Sequence, residues 1–228
     1  MGLGCGDGEH LMTAAVVNTS VYADSTATAS QVVTLPASIV AGNLLLMFIT
    51  LGSAGGGSIT TPSGWTQLAI NTVNWTGAIL YKTATGSEGA SVTITTTIRT
   101  AAAVCYQINA WAGTPAVSVA KNASSGASIT PNAITPSWGS ASDLFIEAVM
   151  AGGDEAPISS YSSGYGSPVA SNAGNFCLAA TAIKSATETT ETPGAITMKY
   201  SEASVAWVVA IQPSAVAARA YDFFKLFF

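Results

Sequence analysis

At 228 residues and 22.9 kDa the chain can bury one large core or two small ones, and its net charge of -5 with pI near 4.6 argues against nucleic-acid phosphates as partners. Charged residues make up only 8% of the sequence, against about a quarter in an ordinary soluble protein. Ser, Thr, Ala and Gly take their place, so the surface loses little when pressed against another protein. Mean hydropathy is +0.43, yet the longest apolar runs, at 44–51, 101–106 and 203–211, are too short to cross a bilayer as helices, and no membrane insertion is expected.

Along the chain, residues 1–12 read as a flexible start with neither the basic nor the apolar region of a signal peptide, which points to synthesis in a cytoplasm. Position 6 is Gly, which breaks a myristoylation pattern at Gly2. Short strands with Gly, Pro, Asn and Ser between them are then predicted at 15–22, 30–35, 43–51, 66–70, 75–81, 90–97 and 102–111. A second series is predicted at 116–121, 127–135, 143–151, 167–171, 175–183, 195–200 and 204–211. Alternation is clearest where Val92 and Ile94 oppose Thr93 and Thr95, and where Ile196, Met198 and Tyr200 oppose Thr197 and Lys199. No helical period appears before the end of the chain. The expectation is an all-β, antiparallel two-sheet β-sandwich.

The second series repeats the first at a displacement of about one hundred residues. Asn43-Leu44-Leu45-Leu46-Met47-Phe48-Ile49 returns as Asp143-Leu144-Phe145-Ile146-Glu147-Ala148-Val149, and Pro62-Ser63-Gly64-Trp65 as Ser162-Ser163-Gly164-Tyr165. Asn74-Trp75 returns as Asn175-Phe176, and the segment from Lys82 to Glu88 as that from Lys184 to Glu188. A repeat of this length is a whole set of strands. The predicted sandwich covers 13–213, with halves at about 26–113 and 127–213; the join carries Val117 and Val119, poor composition for a free linker.

The runs Gly42-Asn43-Leu44-Leu45-Leu46, Thr61-Pro62-Ser63-Gly64-Trp65-Thr66, Tyr81-Lys82-Thr83-Ala84-Thr85-Gly86-Ser87-Glu88 and Ala206-Trp207-Val208-Val209-Ala210-Ile211 carry a resemblance. Over roughly residues 25–214 the chain resembles a group of phage-encoded, jelly-roll-like β-sandwich virion proteins found with head or tail genes. The resemblance implies a virion building block assembled in the host cytoplasm, and supplies no catalytic residue. Tyr165 stands where the pattern has a second Trp.

Catalytic candidates are sparse. His10 is the one histidine, beside Asp7 and Glu9, and reads as a solvated terminus rather than a metal site. A glycosidase-type carboxylate pair would have to come from Asp24, Glu88, Asp143, Glu147, Asp154, Glu155, Glu188, Glu191 and Glu202, of which Glu88 and Glu188 fall in matching turns and read as ligands for turn amides or as solvated groups. Cys105 and Cys177 lie in apolar strands and read as small hydrophobes, and no metal spacing includes Cys5. No catalytic residue, metal or cofactor is expected. Trp75, Trp138, Tyr161 and Tyr165 lie near loops and are the candidates for stacking a host surface glycan. Residues 214–228 form an aromatic tail in which Tyr221, Phe223, Phe224, Leu226, Phe227 and Phe228 are the candidates for docking on a partner.

The expectation is therefore a non-enzymatic virion structural protein of a bacteriophage, a capsid decoration or head-fibre component or a tail-associated subunit. Its partners would be major capsid or tail proteins and further copies of itself, a trimer among the symmetric options. The alternative is a carbohydrate-binding adhesin or receptor-binding module on the same fold.

Overall fold

Residues 44–51 are buried without a break, which a strand achieves only when both of its faces are covered. The computed structural model describes residues 12–52, 57–72, 75–153, 158–174 and 176–215, and in these it contains strands and no helix. The first half supplies β1 (Ala15–Thr34), β2 (Leu44–Leu51), β3 (Ile59–Thr60), β4 (Thr66–Asn71), β5 (Thr76–Thr83) and β6 (Ser91–Asn109). The second supplies β7 (Trp111–Val117), β8 (Lys121–Ala123), β9 (Ser128–Ile129), β10 (Ala141–Gly152), β11 (Ile158–Ser160), β12 (Gly166–Asn172), β13 (Cys177–Glu188), β14 (Ile196–Met198) and β15 (Ser204–Pro213).

One large antiparallel sheet has the order β1-β6-β2-β5-β4, and the other, read from its matching edge, is β7-β15-β10-β13-β12. The orders correspond strand for strand. A small sheet, β11-β14-β9, covers the second large sheet. Its counterpart in the first half is made by β3, residues 91–96 of β6 and residues 30–34 of β1. Counted with β1 and β6 each split in two, each half has a jelly-roll strand order, its fifth strand moved into the larger sheet.

The two large sheets pack face to face. Leu44, Leu46, Phe48, Ile79, Val104, Tyr106 and Ile108 from one meet Leu144, Ile146, Met150, Ala179, Trp207, Val209 and Ile211 from the other. Each large sheet then packs its outer face against its own half, so the molecule is four layers deep and the central strands are covered on both sides. β1 lies over β12 and β4 over β7, as a pseudo-twofold axis along the strands requires. At one end Trp75 lies on Gly152, while Phe176 stands within 3.1 Å of where a Cβ on Gly52 would sit, a reciprocal exchange between the halves.

Large residues of one inner face fill small positions of the other. The register matches Phe48 with Ala148 and Val104 with Trp207, and Trp207 finds space over Gly77. Phe48 and Tyr106 meet edge to face at 6.2 Å, and the Tyr106 hydroxyl bridges the sheets to Thr181 Oγ1 at 2.7 Å. Burial pushes that phenol up to about 12 and holds it protonated.

The architecture is the expected all-β sandwich. Three local expectations change. The predicted pairs 15–22 with 30–35 and 90–97 with 102–111 are single long strands, β1 and β6, which bend from the central layer to the outer one; β1 does so through register irregularities between Asp24 and Ser30. The join lies at Ala110, in the left-handed region at φ 49, so that β7 begins immediately after β6. Tyr200 lies beyond the end of β14 and is 47% exposed, unlike Ile196 and Met198. Sheet membership runs over 15–109 and 111–213, wider than the sequence repeat, because β1 and β7 match in position and not in residues.

A Cβ on Gly77 would lie 2.7 Å from Met150 Sδ and 3.2 Å from Trp207 and Val205. Gly77→Val should therefore cost about 1–3 kcal/mol of stability in chemical denaturation through overpacking; an unchanged midpoint would contradict the face-to-face packing of the large sheets.

Candidate functional site

The outward face of β10 carries Asp143, Phe145, Glu147 and Val149 in alternation, and Asp143 and Glu147 are both fully buried. The register identifies their counterparts. Met47 pairs with Leu80 and Cys105 as Glu147 pairs with Ala182 and Val208, so Met47 and Glu147 hold the same place in the two halves. The turns above them also correspond. Trp65 N–H donates to the Pro62 carbonyl and Tyr165 N–H to the Ser162 carbonyl, both at 3.1 Å. Gly64 at φ 77 and Gly164 at φ 88 permit the two turns.

What differs is the chemistry beneath. Pro62 has no N–H to satisfy, and Met47 lies in an apolar outer core with Leu45, Ile49 and Leu80. Ser162 has one, and donates it to Glu147 Oε1 at 3.0 Å. Ser162 Oγ donates to the Gly194 carbonyl at 3.0 Å, tying the turn to the segment after β13. From that segment Glu191, also buried, receives Lys184 Nζ at 2.6 Å and the Tyr165 hydroxyl at 3.3 Å. Lys184 reaches Glu188 at 3.0 Å as well. Glu147 Oε2 has no hydrogen-bond partner among the described residues.

Burial raises the Glu147 carboxyl above its ordinary range, the hydrogen bond from Ser162 lowers it in part, and repulsion from Glu191 raises it further. Glu191 is raised by burial against the pull of Lys184, while Glu188, hydrogen-bonded to Glu191 and Lys184, is lowered. Burial and the neighbouring carboxylates push Tyr165 up. Asp143 is pushed up to about 6 by burial, although Trp138 Nε1 donates to both of its oxygens at 3.1 Å. The arrangement can store protons on the buried carboxyls of Asp143, Glu147 and Glu191, which the outer layer covers, while Glu188 is partly exposed.

Of the glycan-stacking candidates, Trp138 and Tyr165 are half-buried against the Phe145 and Val208 cluster, and Tyr161 against the Val149 and Ile196 cluster. These three surround the acids. Trp75 stands apart, half-buried on Gly152. Trp65, at 9% exposure, belongs to the outer core of the first half. Tyr221, Phe223, Phe224, Leu226, Phe227 and Phe228 lie outside the described residues, as do Cys5 and His10. Cys105 and Cys177 are buried in apolar cores, and burial lifts both thiols. Among the described residues no group of three His, Cys, Asp or Glu side chains could hold a metal ion. Sequence reading singles out these carboxylates without joining them to the tyrosines; the signal was Met47, Pro62 and Trp65 becoming Glu147, Ser162 and Tyr165 together.

Glu88 behaves in the opposite way. Burial opposes its charge, but Thr85 N–H at 2.5 Å, Thr85 Oγ1 at 2.8 Å, Gly86 N–H at 2.9 Å and Lys82 at 3.1 Å hold it ionised down to about 2. It is a ligand for turn amides. A surface groove of about 570 Å³ lies beside it, between residues 34–39 and 86–90.

No family model, curated protein or solved structure matches this chain.

Because Asp143 is raised in the fold from an ordinary value of 3.8 to about 6, its favourable contribution is complete below the lower value and is lost as pH rises through the upper one. The melting temperature should fall between pH 4 and pH 7.5. Asp143→Asn, which copies Asn43 and keeps an oxygen for Trp138, should flatten that fall and raise stability at pH 7.5 by up to about 3 kcal/mol. A variant less stable than the parent at pH 7.5 would show that Asp143 is held as a favourable carboxylate.

Proposed function

We propose that the chain is a non-catalytic structural subunit that works within a multi-subunit particle, specifically a bacteriophage virion protein of the capsid-decoration, head-fibre or tail-associated kind. The observation that carries the assembly reading is the open edge of β1. From Asn18 to Asp24 this strand keeps unbroken register with β6, while its other edge has no strand partner among the described residues. Residues 15–23 contain no charge and no proline, the usual guards of an exposed edge, and Val17 and Val21 are each about half exposed. Such an edge suits a second copy of this chain adding a strand, with backbone hydrogen bonds for affinity and the valines for fit. A chain in which only 8% of residues are charged supports the same reading, since few ions need be stripped of water on association. The phage setting rests on the sequence resemblance.

The acid cluster supports an enzyme less well, because Asp143, Glu147 and Glu191 are buried beneath the outer layer. A glycan-binding module has less support than assembly too, since three of the four candidate aromatics are committed to packing around those acids.

Sedimentation of the full chain should show concentration-dependent self-association that Val21→Lys reduces at least ~tenfold, because a lysine guards the edge. A chain that stays monomeric at high concentration, or assembles equally well with Val21→Lys, would remove β1 as the contact. Deleting 221–228 tests the tail separately: particles made with the shortened chain should lack the subunit if the phenylalanines anchor it, and normal incorporation would reject that anchor.

A further inference from the structure

The two halves provide an internal comparison. The first closes its outer layer over β2 with Met47 and Trp65 in one apolar cluster, and Pro62 holds the turn position matching Ser162. The second closes the matching layer over β10 through one hydrogen bond from Ser162 N–H to a fully buried carboxylate, whose other oxygen has no partner. An ionised carboxylate in that position keeps part of its charge without solvation, a cost that opening to water would relieve.

We propose that the outer layer of the second half is a proton-operated clasp, in which residues 158–165 are held to β10 through Ser162 and Glu147 at low pH and loosen as pH rises. The groups facing Glu147 come from every element around it. β13 adds Lys184 and Glu188, the following segment adds Glu191, and the clasp adds Tyr161 and Tyr165, while Asp143 on β10 itself shares the face but stands about 13 Å along the strand, bound to Trp138. β14 and β15 contribute the apolar Ile196, Met198, Val208 and Ala210 on this side, and Tyr106 lies across the sheet. Fully ionised, these groups set three carboxylates, Glu147, Glu188 and Glu191, against the single ammonium of Lys184.

A proton on Glu147 or Glu191 removes their mutual repulsion and leaves the Ser162–Glu147 and Lys184–Glu191 contacts in place. Without it, the closed layer is disfavoured relative to an open one in which both carboxylates reach water. The Ser162 to Gly194 hydrogen bond couples the clasp to the segment carrying Glu191, so the two loosen together. Opening uncovers Ile158 and Tyr161 from their cluster, so the response alters the apolar surface offered to a neighbour. The first half has no such group at the matching place.

Hydrogen exchange on the full chain, corrected for intrinsic rates, reads this directly. Between pH 5 and pH 8 the peptide covering 158–165 should lose protection at least ~tenfold, while the matching peptide at 58–65 changes less than ~twofold. Glu147→Gln keeps an acceptor for Ser162 N–H but cannot titrate, and should abolish the difference. The double change Glu147→Met with Ser162→Pro copies the first half and should do the same, read at the Tyr165 amide. Equal responses of the two peptides in the parent chain, or an undiminished response in Glu147→Gln, would overturn the clasp.

Discussion

The face-to-face burial of the two large sheets governs the rest of this molecule. Each large sheet has two apolar faces, and one can be covered only by the other half. Phe48, Tyr106, Trp207 and the leucines and isoleucines around them are fully buried there, each side chain worth about 1.5–3 kcal/mol relative to exposure. A half on its own would leave that face in water, so the halves stand together as one core. The same demand explains the long unbroken apolar strands and leaves alternation to segments such as 30–34, 91–97 and 196–198, where a strand faces solvent on one side.

Such an interface restricts divergence between two copies of one design. Inner positions must change in complementary fashion, and they do: Phe48 against Ala148, Val104 against Trp207, with Gly77 leaving space for the indole. Outer positions answer only to their own half. There the copies differ in kind, the first half burying an apolar cluster with neutral amides such as Gln31 and Gln107, the second burying carboxylates held by tyrosines and a lysine. The polar set changed as a unit, because a glutamate in place of Met47 needs a donor, and Pro62 could not have supplied one. Chemical individuality therefore lies in the outer layer and at the edges, away from the shared interior.

The fold was legible where a residue's local surroundings decide its state. The strand runs at 44–51, 143–151 and 204–211 are unbroken and mostly apolar, with Asp143 and Glu147 the charged exceptions, and Pro62-Ser63-Gly64-Trp65 and Ser162-Ser163-Gly164-Tyr165 announce their turns. The continuity of β1 and β6 was not legible, because the threonines and alanines near their bends look like the end of a strand. The wider structural repeat was also hidden, since β1 and β7 owe their positions to the sheet edge they occupy and not to a shared sequence. The candidate site was half legible. Glu147 within an otherwise apolar strand is an anomaly in the sequence itself, but its meeting with Glu191, forty-four residues later, depends on a segment beyond β13 folding back over the sheet.

The repeated lysine shows how little a single cation decides. Lys82 stands 3.1 Å from Glu88, and Lys184 stands 2.6 Å from Glu191, both acids nearly inaccessible. Nevertheless Glu88 is held ionised to about 2, whereas Glu191 is pushed above its ordinary value. The difference lies in the other donors. Glu88 sits in a turn that offers two backbone N–H groups and a hydroxyl, while Glu191 receives one long contact from Tyr165 and has Glu147 and Glu188 for neighbours. In a buried site the desolvation of the lysine offsets much of what it gives, and neutral donors fixed by the backbone determine whether a carboxylate remains charged. A turn rich in amides therefore makes an acid a permanent anion, and a layer poor in them makes the same kind of acid a titrating group.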